Sequence, residues 1–178
     1  MENLEYCAKC GEKSLRWNKI NKWYCKQCDY VLYHNCAAAV AVILRHKDEI
    51  FLTIRNKDPQ KGKFDLPGGF VDPKESAEQT CRRELYEELK VTIDINRLKI
   101  LKTNPNLYPY KGITYNTLDI FYEYPLEEKT EMEFEKSEIA GGNWFSIGDL
   151  PMDEMAFISQ KEFLNIYKRE YLNSPIWD

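Results

Sequence analysis

The stretch RRELYEELKV places Glu84, Glu87 and Glu88 within little more than one helical turn. Like charges spaced three and four residues apart destabilise an isolated helix by about 0.2–0.5 kcal/mol per pair, and partial burial raises that cost. Something positive should offset the repulsion. The neighbouring Arg82 and Arg83 are candidates, and a solvated helix face is the ordinary reading of such a cluster taken alone. A hard divalent cation is the third possibility: Mg²⁺ or Mn²⁺ takes carboxylate and carbonyl oxygens and keeps open positions for water and phosphate.

A second grouping calls for a softer ion. Cys7-x-x-Cys10 and Cys25-x-x-Cys28 are separated by fourteen residues, close to the spacing of four-thiolate zinc ribbons. A segment of about 35 residues cannot bury a self-sufficient core, so a structural zinc would supply the missing folding free energy. Two disulfides are the alternative, and the absence of an apolar signal core in MENLEYCAKC weighs against a secreted chain. The other two cysteines, Cys36 and Cys81, read as small buried hydrophobes, and His34 as a linker or surface residue, since four thiolates already fill a tetrahedron.

The elements that must carry these groups follow from hydrophobic patterning. The texture changes near residue 35, dividing a first module, 1–35, from a larger domain, 36–178. AAAVAVILRH and EIFLTIRN read as successive strands around a KDE turn, and FDLPGGFVDP as a short strand entering a glycine-rich loop. A helix is expected over about 76–90, with Ser76 as N-cap and Gln79 completing a capping box. Its apolar stripe is Ala77, Cys81, Leu85 and Leu89, and the three glutamates border that stripe at about 100° per residue. TIDINRLKILKT, ITYNTLDIFYEY and NWFSI read as strands, and EMAFISQKEFLNIYKREYL as a helix turning Phe157, Phe163, Leu164 and Tyr167 inward. The expected class is α/β with a mixed sheet, an α/β/α sandwich preceded by a small zinc ribbon. With 178 residues, 43% of them hydrophobic, a real core is affordable, and a net charge of −4 disfavours a general polyanion binder. The longest uncharged apolar run, CAAAVAVIL, is far short of the ~20 residues of a membrane span, so no membrane contact and a cytoplasmic location are expected.

The glutamates also belong to a longer pattern. From Gly69, five residues lead to Glu75, seven more to Arg83, and then follow Glu84, Leu85, Glu87, Glu88 and Val91 in GGFVDPKESAEQTCRRELYEELKV. This resembles the Nudix box, G-x5-E-x7-R-E-U-x-E-E-x-G-U, departing from it at Lys90, where the family has glycine. The resemblance implies a Nudix fold and hydrolysis of a nucleoside diphosphate linked to another moiety. It implies Glu84, Glu87 and Glu88 as Mg²⁺ or Mn²⁺ ligands with the Gly68 carbonyl as an addition. Arg83 would orient the glutamates from within the helix, and Glu75 would hold Arg83 or the loop. The general base is left between a box glutamate and Glu138, in EKSEIAGGNWF.

A zinc ribbon ahead of such a domain is similar to the arrangement of NADH pyrophosphatases. Their S-Q-P-W-P-F-P-x-S array corresponds here to TNPNLYPYKGIT, which keeps Pro105 and Pro109 but has Asn104 for Gln, Asn106 for Trp and Leu107 for Pro, and the stretch is expected to be a substrate-facing loop. Tyr108, Tyr110 and Tyr115 would stack a base or ribose of a nucleotide substrate, or serve as core and dimer surface. Two functional classes compete. One is a pyrophosphohydrolase of dinucleotides, ADP-ribose or sugar nucleotides, as a homodimer in the manner of related enzymes. The other is a ligand sensor or nucleic-acid module, including an enzyme acting on an RNA 5′ end, whose ribbon would use Lys9, Lys13, Arg16, Lys19, Lys22 and Lys26 with Trp17, Trp23 and Tyr24. The complete set of box carboxylates favours the first.

Overall fold

The computed structural model describes residues 4–173. The chain divides into two compact units, one of residues up to Cys36 together with Leu107–Asn116, the other of Ala37–Asn106 and Thr117 onward.

The first unit contains a three-stranded antiparallel sheet of β1 (Leu15–Trp17), β2 (Lys22–Cys25) and β3 (Val31–Tyr33). β1 and β2 form a hairpin because Asn18 Oδ1 accepts from the amides of Ile20, Asn21 and Lys22, closing the turn between them. Its small core is Cys7, Leu15, Trp23 and Cys25, with Trp17 and Leu32 packed on it.

The remaining strands are β4 (Ala37–His46), β5 (Glu49–Arg55), β6 (Phe64–Asp65), β7 (Lys99–Tyr110), β8 (Ile113–Pro125) and β9 (Ile139–Ser146), all in the second unit except the end of β7 from Leu107 and the start of β8 up to Asn116. These form a mixed sheet of order β6-β5-β4-β8-β7 with β9 added to β5. β4 and β8 run parallel, from Ala37 opposite Thr117 to Arg45 opposite Pro125. The central strand is apolar on both faces, as a strand covered on both sides must be. Val40, Val42 and Leu44 pack with Cys81, Leu85 and Leu89 of helix α1 (Ala77–Leu89). Ala41 and Ile43 pack with Phe163 and Leu164 of helix α2 (Ile158–Asn173). The period-two alternation of β4 thus produces the three-layer α/β/α sandwich.

Four local expectations are corrected. Thr92–Asp94 is not strand: the Asp94 side chain accepts from the Asn96 amide and caps a 3₁₀ turn, Ile95–Arg97, before β7 begins. The NPNLYPY stretch is not a loop but the end of β7, turned back into β8 by Lys111 and Gly112, both left-handed at φ 47° and 78°. Pro105 and Pro109 fit there because β7 ends the sheet order, where no ladder amide is needed. Cys36 is exposed and precedes β4, while Cys81 is buried as expected. Phe157 lies before α2, where Arg55 covers its ring at 5.0 Å, while Tyr167 packs against the core beside Phe163 as expected.

Candidate active site

Helix α1 begins and ends where its sequence dictates. Ser76 Oγ accepts from the Gln79 amide at 3.2 Å, and the Ser76 amide donates to Gln79 Oε1 at 2.8 Å. At the other end Lys90 occupies the family's glycine position as a left-handed C-cap, φ 58°, its amide donating to Tyr86 O. The non-glycine residue tolerates this conformation at a cost of about 1 kcal/mol. Between these ends Thr80, Cys81, Leu85, Glu88 and Leu89 are buried, so one glutamate of the cluster lies on the packed face itself.

The glycine-rich loop is fastened along β4: Val40 N donates to Gly69 O at 2.8 Å, Val42 N to Pro67 O at 2.9 Å, and Val71 N to Ala38 O at 2.9 Å. Both glycines are required, for different reasons. Gly68 has φ +147°, and a Cβ there would lie 2.2 Å from the Val40 carbonyl oxygen. A Cβ on Gly69 would lie 2.4 Å from Glu84 Oε1. The loop and the helix face are therefore in direct contact at the glutamates.

Arg83 organises the cluster. Its Nε donates to Glu75 Oε1 at 3.1 Å and its Nη2 to Glu75 Oε2 and the Phe70 carbonyl, both at 3.1 Å. Nη1 donates to Glu84 Oε1 at 2.7 Å and Glu87 Oε2 at 3.0 Å. Glu88 Oε2 instead accepts from the Gly68 amide at 3.1 Å. Each metal-ligand candidate thus has one anchored carboxylate oxygen. Glu84 Oε2, Glu87 Oε1 and Glu88 Oε1 make no hydrogen bond among the described residues, and none is sealed from solvent, since Trp23 Nε1 is the one buried, unpartnered side-chain polar atom there. These three oxygens are of the donor type a hard divalent cation takes, although among the described residues only the four cysteines bring three or more ligand atoms within 4.8 Å of one another.

Charge crowding agrees. Burial, followed by the charge of Glu84, pushes the Glu88 carboxyl well above its usual range against the pull of the Gly68 amide. Burial also raises Glu84, with Arg83 opposing and the charges of Glu87 and Glu138 adding to it. Glu75 goes the other way: its hydrogen bonds from Arg83, then Thr80, hold it at about 2. Glu75 is therefore the permanent anion that fixes the guanidinium. Glu138 stands in the turn before β9, pairs with Lys57, and is close enough to raise both Glu84 and Glu88.

Sequence reasoning missed Thr80 and Lys57. The Thr80 hydroxyl donates to Glu75 Oε2 at 2.8 Å from a buried position one turn before Glu84. Its signal, a hydroxyl on the apolar stripe, lay within a stretch the motif leaves unspecified. Tyr108, Tyr110 and Tyr115 belong to the first compact unit and the glutamates to the second. The rings of Tyr108 and Tyr110 are 6.2 Å apart, with Lys111 Nζ 5.2 Å from the Tyr110 centroid.

The four cysteines converge. Their sulfurs all lie within 4.8 Å of one another, with Cys7 to Cys28 at 3.8 Å and Cys10 to Cys25 at 3.7 Å. All are free thiols, so the disulfide alternative fails. A tetrahedron with metal–sulfur bonds of ~2.3 Å has edges of ~3.8 Å, the separation these pairs show. The amides of Lys9, Gln27 and Cys28 point at the sulfurs of Cys7 and Cys25. The Ser14 hydroxyl above all, with burial opposing and those two amides on Cys25 assisting, brings Cys25 down to about 6.

Fold and site define a mixed-sheet sandwich with a helix-borne glutamate cluster, preceded by a module in which four cysteines cluster. The NUDIX domain model matches residues 34–165, and the chain belongs to the Nudix family. Among curated proteins it is similar to the NAD-capped RNA hydrolase NudC of Haemophilus influenzae, 29% identical over 157 residues, 87% of this chain and 56% of that protein. The enzyme of the same name from Pseudomonas putida is 28% identical over 172 residues, 96% of this chain and 58% of that protein. The chain therefore spans little more than half the length of these relatives. Among solved structures, a NUDIX hydrolase from Nitrosomonas europaea shares the fold at TM-score 0.68 and 20% identity, covering 98% of this chain and 97% of that one. The NUDIX domain of Shewanella oneidensis NrtR, complexed with ADP ribose, shares it at TM-score 0.61 and 22% identity, covering 79% of this chain and 91% of that one. No helix among the described residues is long and apolar enough to cross a membrane.

Proposed function

We propose that the chain is a metal-dependent pyrophosphohydrolase that cleaves the diphosphate bridge of a dinucleotide such as NADH, of ADP-ribose or of a sugar nucleotide. The observation that carries this reading is the arrangement of Glu84, Glu87 and Glu88, each anchored through one oxygen and open at the other. A ligand sensor has no need to keep all three.

Those open oxygens would hold Mg²⁺ or Mn²⁺, with the Gly68 carbonyl as a further donor; when bound, such an ion supplies positive charge for the diphosphate and a water of lowered pKa. Arg83 positions Glu84 and Glu87, and Glu75 with Thr80 positions Arg83. Glu138 is the candidate base from outside the helix, accepting a proton from the attacking water on its carboxylate, and Glu88 is the candidate within it. The four-cysteine module would hold a structural Zn²⁺. Tyr108, Tyr110 and Tyr115 would stack against a base, and a homodimer would be the assembly. The names of the NudC relatives support extending the substrate class to the same bond at an RNA 5′ end.

A substrate screen tests the reading: NADH, NAD⁺, ADP-ribose, sugar nucleotides, dinucleoside polyphosphates, nucleoside triphosphates and dinucleotide-capped RNA, each with Mg²⁺ and Mn²⁺. Release of a nucleoside monophosphate from at least one dinucleotide, abolished by chelation, is expected. Full activity in both Glu87→Gln and Glu88→Gln on the best substrate would overturn it.

A further inference from the structure

The three-stranded sheet of the first unit has two unlike faces. Leu15, Trp23 and Cys25 point into the small core, with Trp17 and Leu32 packed beside them. The alternate residues form the opposite face in two rows. Arg16, Tyr24 and Val31 lie directly across the strands from one another, and Lys22 pairs with Tyr33 in the next row. Aromatic residues are common in strands and single exposed ones are ordinary, so what marks this face is their grouping with cations. Here Tyr24 is 41%, Val31 41% and Tyr33 55% exposed.

The charge on this face has one sign. The strands read LRW, KWYC and VLY, with Arg16 and Lys22 and no acidic side chain. Arg16 Nη1 donates only to the neutral Leu15 carbonyl, and no ion pair among the described residues neutralises Arg16 or Lys22. Lys22 Nζ stands 5.7 Å from the Tyr33 ring centroid. The chain as a whole carries a net charge of −4, so an aromatic face bearing cations alone departs from its average surface.

We propose that this face binds single-stranded nucleic acid, with Tyr24 and Tyr33 each stacking one base and Arg16 and Lys22 meeting the phosphates. Diagonal neighbours across paired strands are ~7–8 Å apart, which lets the two rings take separate bases. Base-on-aromatic stacking together with a cationic track is the physical basis of sequence-tolerant single-strand recognition, and the charge complementarity favours a polyanion over an apolar protein surface. The proposal stands independently of the hydrolytic reading, because it concerns residues that share nothing with the glutamate cluster.

The test uses the full zinc-loaded chain and a fluorescent oligoribonucleotide of about ten bases with a 5′ hydroxyl, which offers no diphosphate bond to cleave. Fluorescence anisotropy should show salt-sensitive binding that a duplex of the same length does not match. Tyr24→Ala and Tyr33→Ala should each weaken it about ten-fold, the loss of one stack, while Tyr24→Phe retains it. Arg16→Gln and Lys22→Gln should each flatten the slope of log affinity against log salt by about 0.7. Unchanged amide-exchange protection over β1, β2 and β3 will show that each variant keeps its fold. No binding by the parent chain, or affinities untouched by the tyrosine variants, overturns the proposal. So does a face that proves to hold a second copy of the chain, seen as self-association lost in Tyr24→Ala with oligonucleotide binding unaltered. Dinucleotide hydrolysis, measured separately, should persist in all five variants.

Discussion

A Cβ built on Gly69 would lie 2.4 Å from Glu84 Oε1, whereas one built on Gly68 would lie 2.2 Å from the backbone oxygen of Val40. The adjacent glycines thus guard different things. Gly69→Ala meets the end of a movable side chain, so it should displace the Glu84 carboxylate and reduce turnover by about a hundred-fold with little loss of stability. Gly68→Ala meets immovable backbone at a left-handed φ and should cost several kcal/mol of stability, roughly the upper range for a strained position plus a clash. Denaturant midpoints and kcat for both variants check the contrast.

Glu87→Gln and Glu88→Gln are expected to leave the fold intact and to lower metal-dependent turnover by about 10³-fold or more. They should differ in the metal-free protein. Glu87 is largely exposed, at 57%, so its substitution is nearly neutral, whereas Glu88→Gln removes a buried carboxylate charge and should stabilise the fold at neutral pH. Urea unfolding in chelator, beside steady-state kinetics in Mg²⁺, measures both.

The same groups contribute to the pH dependence of stability in the absence of metal. Glu84 and Glu88 are raised above the ordinary value of 4.5, so the folded chain binds their protons more tightly than the unfolded one. Their contribution is complete below 4.5 and is lost as pH rises through the folded values. Glu75, held at about 2, contributes above 4.5 and loses that contribution as pH falls through about 2. Stability should therefore decline from mildly acidic to neutral pH, and Glu88→Gln should flatten that decline. Denaturation midpoints across about pH 4 to 8 would reveal it.

Lys90→Gly should stabilise the chain by about 0.5–1 kcal/mol, since the left-handed C-cap at φ 58° suits glycine better than lysine. Turnover should stay within about two-fold, because what is lost near the cluster is the Nζ contact to the Glu87 carbonyl, at 3.4 Å, and the one to the Tyr86 ring, 5.1 Å from its centroid, neither of which touches a carboxylate. Denaturant titration and a single kinetic assay suffice.

Removal of zinc should abolish amide protection over Leu15–Tyr33 while β4, β5 and β8 retain theirs. The small core of Cys7, Leu15, Trp23 and Cys25 cannot replace a metal-binding free energy of about 10–16 kcal/mol. Hydrogen exchange followed by mass spectrometry, with and without a chelator, reads both units at once. Protection unchanged over the strands of the first unit would reject a structural ion.

Much of this molecule is readable from local pattern. The Ser76 and Gln79 capping box, the stripe of Cys81, Leu85 and Leu89, and the alternation of β4 were all legible because helix and strand periods act over a few residues. The left-handed Lys90 was also legible, as the point where a motif glycine is absent. The errors fell where neighbours in space override neighbours in sequence. NPNLYPY has the prolines of a loop, but pairing within the sheet draws it into β7. Cys36 has the composition of a strand start, yet it lies outside the strand and in solvent.

The sequence by itself determined which groups stand at fixed spacing: three carboxylates with an arginine and a further glutamate, and four cysteines in two pairs. Spacing along a helix sets direction, so it is sufficient for that. Only the tertiary structure decided how the carboxylates are used. Arg83 takes one oxygen from Glu84 and one from Glu87, the Gly68 amide takes one from Glu88, and the other three oxygens are left open. The anchor of Glu88 comes from a loop twenty residues away in sequence, fastened to β4 by backbone hydrogen bonds, and no local rule specifies a contact made across two packed layers.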